Sequence, residues 1–213
     1  QMIYGGRVSM AVGWSAMILS LLIGTTVGVA SGYFKRADFL LMRLTDLVLS
    51  LPILPLVLLA VTLFRQPLTS FFGSPEKGMF VLIVSVIALT SWMQTARIVR
   101  GDILALKERE FILAARSIGS TSGKIIRRHL LPSFTSYIIV DLMISFPYMV
   151  RSETALSFIG LGLQDPVNSL GALLQNVSKA DVLLNYQWYF IPVLFFIALV
   201  LASALPALIL LLP

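Results

Sequence analysis

The chain of 213 residues is 58% hydrophobic and 12% charged, with a mean hydropathy of +0.93, whereas a soluble domain is about half apolar and about a quarter charged. That composition excludes a water-soluble globular domain and identifies an integral membrane protein. The net charge of +6 does not indicate nucleic-acid binding, because it sits in loops between apolar runs without an aromatic platform, and the absence of cysteine excludes disulfides and thiolate metal sites.

Gln1 opens the chain with neither an initiator Met nor a signal-peptide cleavage pattern, so residues upstream are expected. A crossing helix needs about 20 apolar residues. Five stretches qualify: 8–32, 39–64, 79–96, 134–150 and 189–212. All are predicted to be helices, since a lone strand in lipid leaves its backbone groups unpaired. The first carries Gly24, Gly28 and Gly32 on one face, a spacing that lets helix backbones approach closely; packing within one subunit is preferred to a subunit interface. The second contains Pro52 and Pro55, predicted to bend it. Near its start stand Arg43 and Asp46, three residues apart and predicted to form an ion pair near the cytoplasmic surface, so the lipid-facing part should begin near Leu47. Asp141 has no partner within the fourth span. An acid in hydrocarbon is costly enough to imply a function, and facing a water-filled pathway or pairing with another chain fit equally well.

Between the third and fourth spans lies the longest polar segment, 98–132. Eight of the sixteen Lys and Arg fall between residues 97 and 132. With that segment inside, alternation brings Lys35, Arg36 and Arg43 to the same side, eleven basic residues against five, which predicts an N-terminus outside and a C-terminus inside for this chain. Lys107 to Ser117 is rich in helix formers, Gly119 can end the helix in the left-handed conformation, and Ser120 or Thr121 can cap a second helix running to Leu131 before Pro132. Small Ala114 and Ala115 beside Phe111, Ile112 and Ile118 suit insertion into a groove on a partner; a connecting helix at the bilayer surface accounts for the basic residues as well. The run from Gly119 to Lys124 is not a phosphate loop, because three residues separate its glycines instead of four and Ile125 replaces the required hydroxyl. The only histidine, His129, has no nucleophile motif or set of metal ligands around it.

Residues 151–188 are too apolar at first for a free loop, and Gly160, Gly162, Asp165 and Pro166 interrupt them too early for a span. A re-entrant or interfacial element on the outer face is predicted, with Ser169 open to solvent there.

AARSIG followed by SGKIIRRHLLP resembles the EAA loop of ABC importer permeases, in which E-A-A-x-x-x-G precedes a downstream Leu-Pro. Ala114, Ala115, Gly119, Leu131 and Pro132 match; Leu113 stands in the place of the Glu, and Glu110 lies three residues earlier. YGGRVSMAVG, GVASGYF with MRLTDLVLSLP, REFILAARSIGS and ETALSFIGLGLQDPVNSLGALL are similar to the C-type permease subunit of bacterial dipeptide, oligopeptide and nickel importers. The resemblance covers most of residues 4–175, and the apolar end at Leu212 and Pro213 departs from the family's charged tail.

That resemblance implies an all-α fold, a polytopic transmembrane helix bundle of the type I ABC importer (MetI-like) kind, with five spans here and a sixth upstream. Residues 1–213 would form one permease domain, with the coupling loop at 98–132 and the outer segment at 151–188. It implies a multi-pass protein of the bacterial inner membrane with a B-type permease partner, two ABC ATPase subunits and an extracytoplasmic substrate-binding protein. The chain would be no enzyme and would bind no cofactor, ATP and Mg being used by the ATPase subunits. Its ATPase-coupling residues would be Glu110, Phe111, Ala114, Ala115, Ile118, Gly119, Leu131 and Pro132; Arg43, Asp46, Asp141 and Glu153 would be structural or pathway polar residues. Peptides are the implied cargo, with nickel or oligosaccharides as alternatives. A proton-coupled secondary transporter with Asp141 as carrier is the reading of a different class, and the lack of an inverted repeat speaks against it.

Overall fold

A computed structural model describes residues 2–163, 169–178 and 190–202, with no strand among them. In chain order they form α1 (Met2–Tyr33), α2 (Lys35–Ser50), α3 (Ile53–Phe72), α4 (Pro75–Leu106), α5 (Glu110–Ser117), α6 (Ser122–Ile125), a π-helical turn (Ile126–Leu130), α7 (Leu131–Ser133), α8 (Thr135–Phe158), α9 (Leu170–Val177) and α10 (Phe190–Ala202). Among the described residues α1, α3 and α4 are each long and apolar enough to cross a membrane, and 122–133 together with 137–158 make a fourth candidate bent by 65°. The expected fifth span is described only over α10; its remainder lies outside the described residues.

The expected second span, 39–64, is not one bent helix. The chain breaks where Leu51 takes an extended conformation (φ −79°, ψ 140°), because the ring of Pro52 disfavours helical backbone in the residue before it. Pro55 then falls in the first turn of α3, where a missing N–H is harmless. The apolar crossing helix therefore begins at Ile53 and not near Leu47. α2 is a separate helix with Phe39 and Leu40 each 70% exposed.

The chain folds into two compact units, one of residues 1–19, 54–89 and 143–213, the other of 20–53 and 90–142. In the second unit the glycine ladder of α1 meets α4. A Cβ on Gly24 would stand 2.8 Å from Thr95 Cβ, and one on Gly28 or Gly32 would stand 2.7 Å from the Cβ of Val99 or Ile103. The ladder thus serves packing within the chain, the preferred reading. Gly28→Val is expected to lower the thermal midpoint and the yield of folded protein, since overpacking costs about 1–3 kcal/mol; Gly101→Val, where an added Cβ meets nothing within 4 Å, is the matched control in the same thermal scan.

In the first unit Trp14 packs on Phe146 with ring centroids 4.9 Å apart, and Val12, Ala16, Met17, Met149 and Val150 are buried. α8 ends at a turn in which Gly160 has φ +86°, and Leu161 and Gly162 both donate their N–H to Leu156 O, at 2.9 and 3.0 Å. Beyond it α9 buries Leu170, Gly171, Ala172 and Val177. Asp165 and Pro166 of the segment expected to be re-entrant lie outside the described residues. Ser169 is not open to solvent as expected. It is fully buried and caps α9, its Oγ accepting from Ala172 N at 3.2 Å.

Candidate coupling surface

α5 is a two-turn helix made by its sequence ends. Glu110 lies in its first turn and Arg116 in its last, each opposing the helix dipole with the favourable sign. At its C-terminus Gly119 has φ +83°, Gly119 N donates to Arg116 O at 3.0 Å and Ser120 N to Ala115 O at 3.1 Å. This is the Schellman arrangement, which a residue with a β-carbon adopts only under strain. Thr121 takes the N-cap position of α6 without a side-chain cap bond.

One residue pins α5 in place. Ile112 is fully buried in a cluster with Val29, Val99, Ile103, Ile125, Leu130 and Phe134, and half-buried Ala115 packs against that cluster. The other face is open: Phe111 is 45%, Leu113 48% and Ile118 85% exposed, and Ala114 and Gly119 are exposed between them. The two alanines, paired in the sequence motif, therefore face different surroundings. Leu131 and Pro132 are also exposed, just after the π-helical turn. Three contacts fix α5 and its flanks: Lys107 Nζ donates to Gly32 O at 3.2 Å, the Arg116 guanidinium lies 5.9 Å from the Tyr33 ring centroid, and the Phe111 and His129 ring centroids are 6.4 Å apart. A cavity of about 530 Å³ lined by Leu106, Glu108, Arg109, Glu110, Phe111 and Ser133 opens at the start of the helix.

The carboxylates are partnered differently from the sequence expectation. Asp46 accepts from Arg97 of α4, while Arg43 lies over the Phe39 ring, 5.4 Å from its centroid; the expected Arg43–Asp46 pair gives way because Arg97, distant in sequence, reaches the acid across two packed helices. Asp38, unremarked in the sequence, takes a bidentate fork from Arg100, 2.5 Å from Nε and 2.7 Å from Nη2. Its signal was legible in retrospect: Asp38 and Asp46 are eight residues apart on one face of α2, and Arg97 and Arg100 three apart on α4. Asp141 accepts a hydrogen bond from Thr95 Oγ1 at 3.2 Å, so it is partnered within this chain. Glu153 is fully buried. Its Oε1 accepts from Ser157 Oγ at 2.7 Å, and Oε2 has no hydrogen-bond partner among the described residues.

The Arg100 fork holds the Asp38 carboxyl below its ordinary value, against a smaller opposing effect of burial. A carboxylate so lowered contributes stability that is complete above the ordinary Asp pKa of about 3.9 and is lost as pH falls through the folded-state value. The thermal-midpoint difference between wild type and Asp38→Asn is therefore expected to be constant at neutral pH and to vanish only at pH below about 3.9. Added salt should shrink it, because the pair is partly exposed.

Residues 20–212 match the sequence profile of the family described as binding-protein-dependent transport system inner membrane component. The oligopeptide transport system permease protein OppC of Haemophilus influenzae is 37% identical over 173 residues, 81% of this chain and 52% of that protein. The dipeptide transport system permease protein DppC of Bacillus subtilis is 34% identical over 197 residues, 92% of this chain and 58% of that one. The chain thus spans about half the length of the curated relatives it matches. Among solved structures, an inward-facing conformation of the MetNI methionine ABC transporter aligns with a TM-score of 0.72 at 15% identity, covering 96% of this chain and 92% of that one. An amino acid ABC transporter crystallised with histidines aligns at 0.60 and 20% identity, covering 98% and 90%. At such identities the likeness is one of fold, and it matches the all-α, type I importer architecture expected from the sequence.

Proposed function

Because the chain belongs to the family of binding-protein-dependent transport system inner membrane components, we propose that it is the permease subunit of an ATP-driven peptide importer, supplying half of the translocation pathway. The observation that carries this reading is α5: a short helix pinned by Ile112 at its back and presenting Phe111, Leu113, Ala114 and Ile118 to the outside. Exposed apolar side chains on a rigidly held helix are what a groove on a partner recognises. The partner here is an ATPase subunit, which binds ATP and Mg and hydrolyses the nucleotide; this chain receives the resulting movement and performs no chemistry of its own. Glu110, Phe111, Ala114, Ile118 and Gly119 form the contact, Ala115 joins it to the core behind, and Leu131 and Pro132 belong to the same motif.

A second, B-type permease completes the pathway, two ATPase subunits act on the cytoplasmic face, and an extracytoplasmic binding protein delivers cargo. The basic loops face the cytoplasm of a bacterial cell, across its inner membrane, by the charge asymmetry. Peptides are the proposed cargo because both relatives named above are oligopeptide or dipeptide permeases. The test is uptake of labelled di- and oligopeptides into proteoliposomes carrying the complete complex with its binding protein. Uptake should require ATP on the ATPase side and survive an uncoupler. Uptake that persists without ATP and collapses with the proton gradient would establish a secondary transporter instead.

A further inference from the structure

We propose that the groove at the starts of α1 and α4 binds an aminophospholipid of the phosphatidylethanolamine class by its headgroup and the upper part of an acyl chain. The groove has a volume of about 490 Å³, and its lining includes Arg7 and Ala11 of α1 and Glu76, Lys77, Phe80 and Val81 of α4. On each helix the charged residue precedes the apolar one by about one turn, Arg7 before Ala11 and Lys77 before Val81. With α1, α3 and α4 each crossing the membrane, α1 and α4 start on the same side. The charges therefore lie at the membrane surface and the apolar floor leads into the hydrocarbon.

The three charges are available. Arg7, Glu76 and Lys77 are exposed, and the two ion pairs among the described residues, Asp46 with Arg97 and Asp38 with Arg100, involve none of them. Two cations and one acid complement a ligand that carries a phosphodiester and an ammonium on one short headgroup: Arg7 and Lys77 meet the phosphate, and Glu76 meets the ammonium. A free anion would be repelled by Glu76 and would leave the apolar floor bare. A lipid with an anionic headgroup would satisfy the cations and the floor but not the acid. The ethanolamine headgroup uses all three features, and its primary ammonium can donate hydrogen bonds to the Glu76 carboxylate that a choline headgroup, which has no N–H, cannot. Basic pockets among membrane helices recognise lipid headgroups by the same electrostatics.

The test measures lipid retained by the purified, full-length transporter complex, using native mass spectrometry after exchange into nanodiscs of phosphatidylethanolamine, phosphatidylglycerol or phosphatidylcholine. Its readout is lipid mass and does not depend on transport, so it stands or falls apart from the importer reading. Wild type is expected to retain phosphatidylethanolamine in preference to the other two. The double variant Arg7→Gln, Lys77→Gln, which removes both phosphate contacts, should lose about thirtyfold in retention, about 2 kcal/mol. Glu76→Gln should keep a lipid but no longer prefer phosphatidylethanolamine to phosphatidylglycerol, and Ala11→Trp, which fills the floor, should abolish retention. Equal retention in wild type and the double variant, or a wild-type preference for phosphatidylglycerol or phosphatidylcholine, would overturn the proposal. So would a photoreactive side chain at Phe80 that captures a polypeptide instead of lipid, which would mark the groove as a seat for a protein helix.

Discussion

Ala114→Trp is expected to leave the chain folded in the membrane and to reduce co-purification of the ATPase subunits proposed to dock on α5 by about tenfold, the effect of an overpacking penalty of about 1–3 kcal/mol at a fitted contact. Ala114 is exposed on the open face of α5, so a large side chain there meets nothing inside this chain and collides only with whatever docks. Ala115→Trp should behave differently. Ala115 packs against the cluster around Ile112, and the bulk would disrupt that cluster and lower the amount of folded chain itself. Gly119→Val adds a third behaviour. Its Cβ would meet nothing within 4 Å, so the penalty is confined to the backbone at φ +83°, on the order of 1–2 kcal/mol, and shows as a frayed end of α5 and weaker ATPase attachment. Leu22→Trp, exposed on α1, is the control for surface bulk far from the loop. The measurements are membrane abundance and ATPase co-purification, and wild-type co-purification for both Ala114→Trp and Gly119→Val would mean that nothing docks on this face.

Glu153→Ala should destabilise the protein by about 2–5 kcal/mol, because it removes a carboxyl from a buried polar network and leaves its partners unsatisfied. Glu153 accepts from Ser157, whose Oγ in turn accepts from Leu163 N at 3.1 Å. Ser9 and Ser169 surround the same carboxyl, with Ser9 Oγ accepting from Leu170 N at 3.0 Å. The network therefore ties the end of α8, the following turn, the start of α9 and α1 together. Glu153→Gln keeps the size and an acceptor oxygen for Ser157 and is expected to retain most of the stability. Thermal midpoints of the purified complex decide the matter; equal midpoints for wild type and Glu153→Ala would show that the network contributes nothing.

Run lengths of apolar residues placed α1, α4 and α8 because hydrocarbon thickness imposes a length that sequence records directly, whereas the run over 39–64 merged α2 with α3. The glycine ladder and the end of α5 at Gly119 were legible for a similar reason: both depend on a missing β-carbon, which is visible in the sequence. Pro52 was visible too, but a proline inside an apolar run is compatible with a bent helix as well as with the break that Leu51 makes in its extended conformation. Ion-pair choice was less legible. Arg43 and Asp46 are neighbours on one helix, yet the acid pairs with Arg97, and no local spacing reveals a partner brought in by another helix. The different roles of Ala114 and Ala115 depend on the rotational phase of α5, set by the burial of Ile112. The surroundings of Glu153 come from Ser9 and Ser169, serines far apart in the chain and individually unremarkable.

The contact of α1 with α4 in the second unit has a mechanical consequence. Where Gly24, Gly28 and Gly32 meet Thr95, Val99 and Ile103, no side chain of α1 stands between the two backbones to change rotamer and absorb a displacement. Close-packed protein of this sort has low compressibility, and Ile112 is seated on Val29, Val99 and Ile103, beside that same seam. A push delivered to α5 therefore finds no slack at its root. It would tilt the stretches of α1 and α4 that lie in the second unit together, as one lever whose short arm is the two turns of α5.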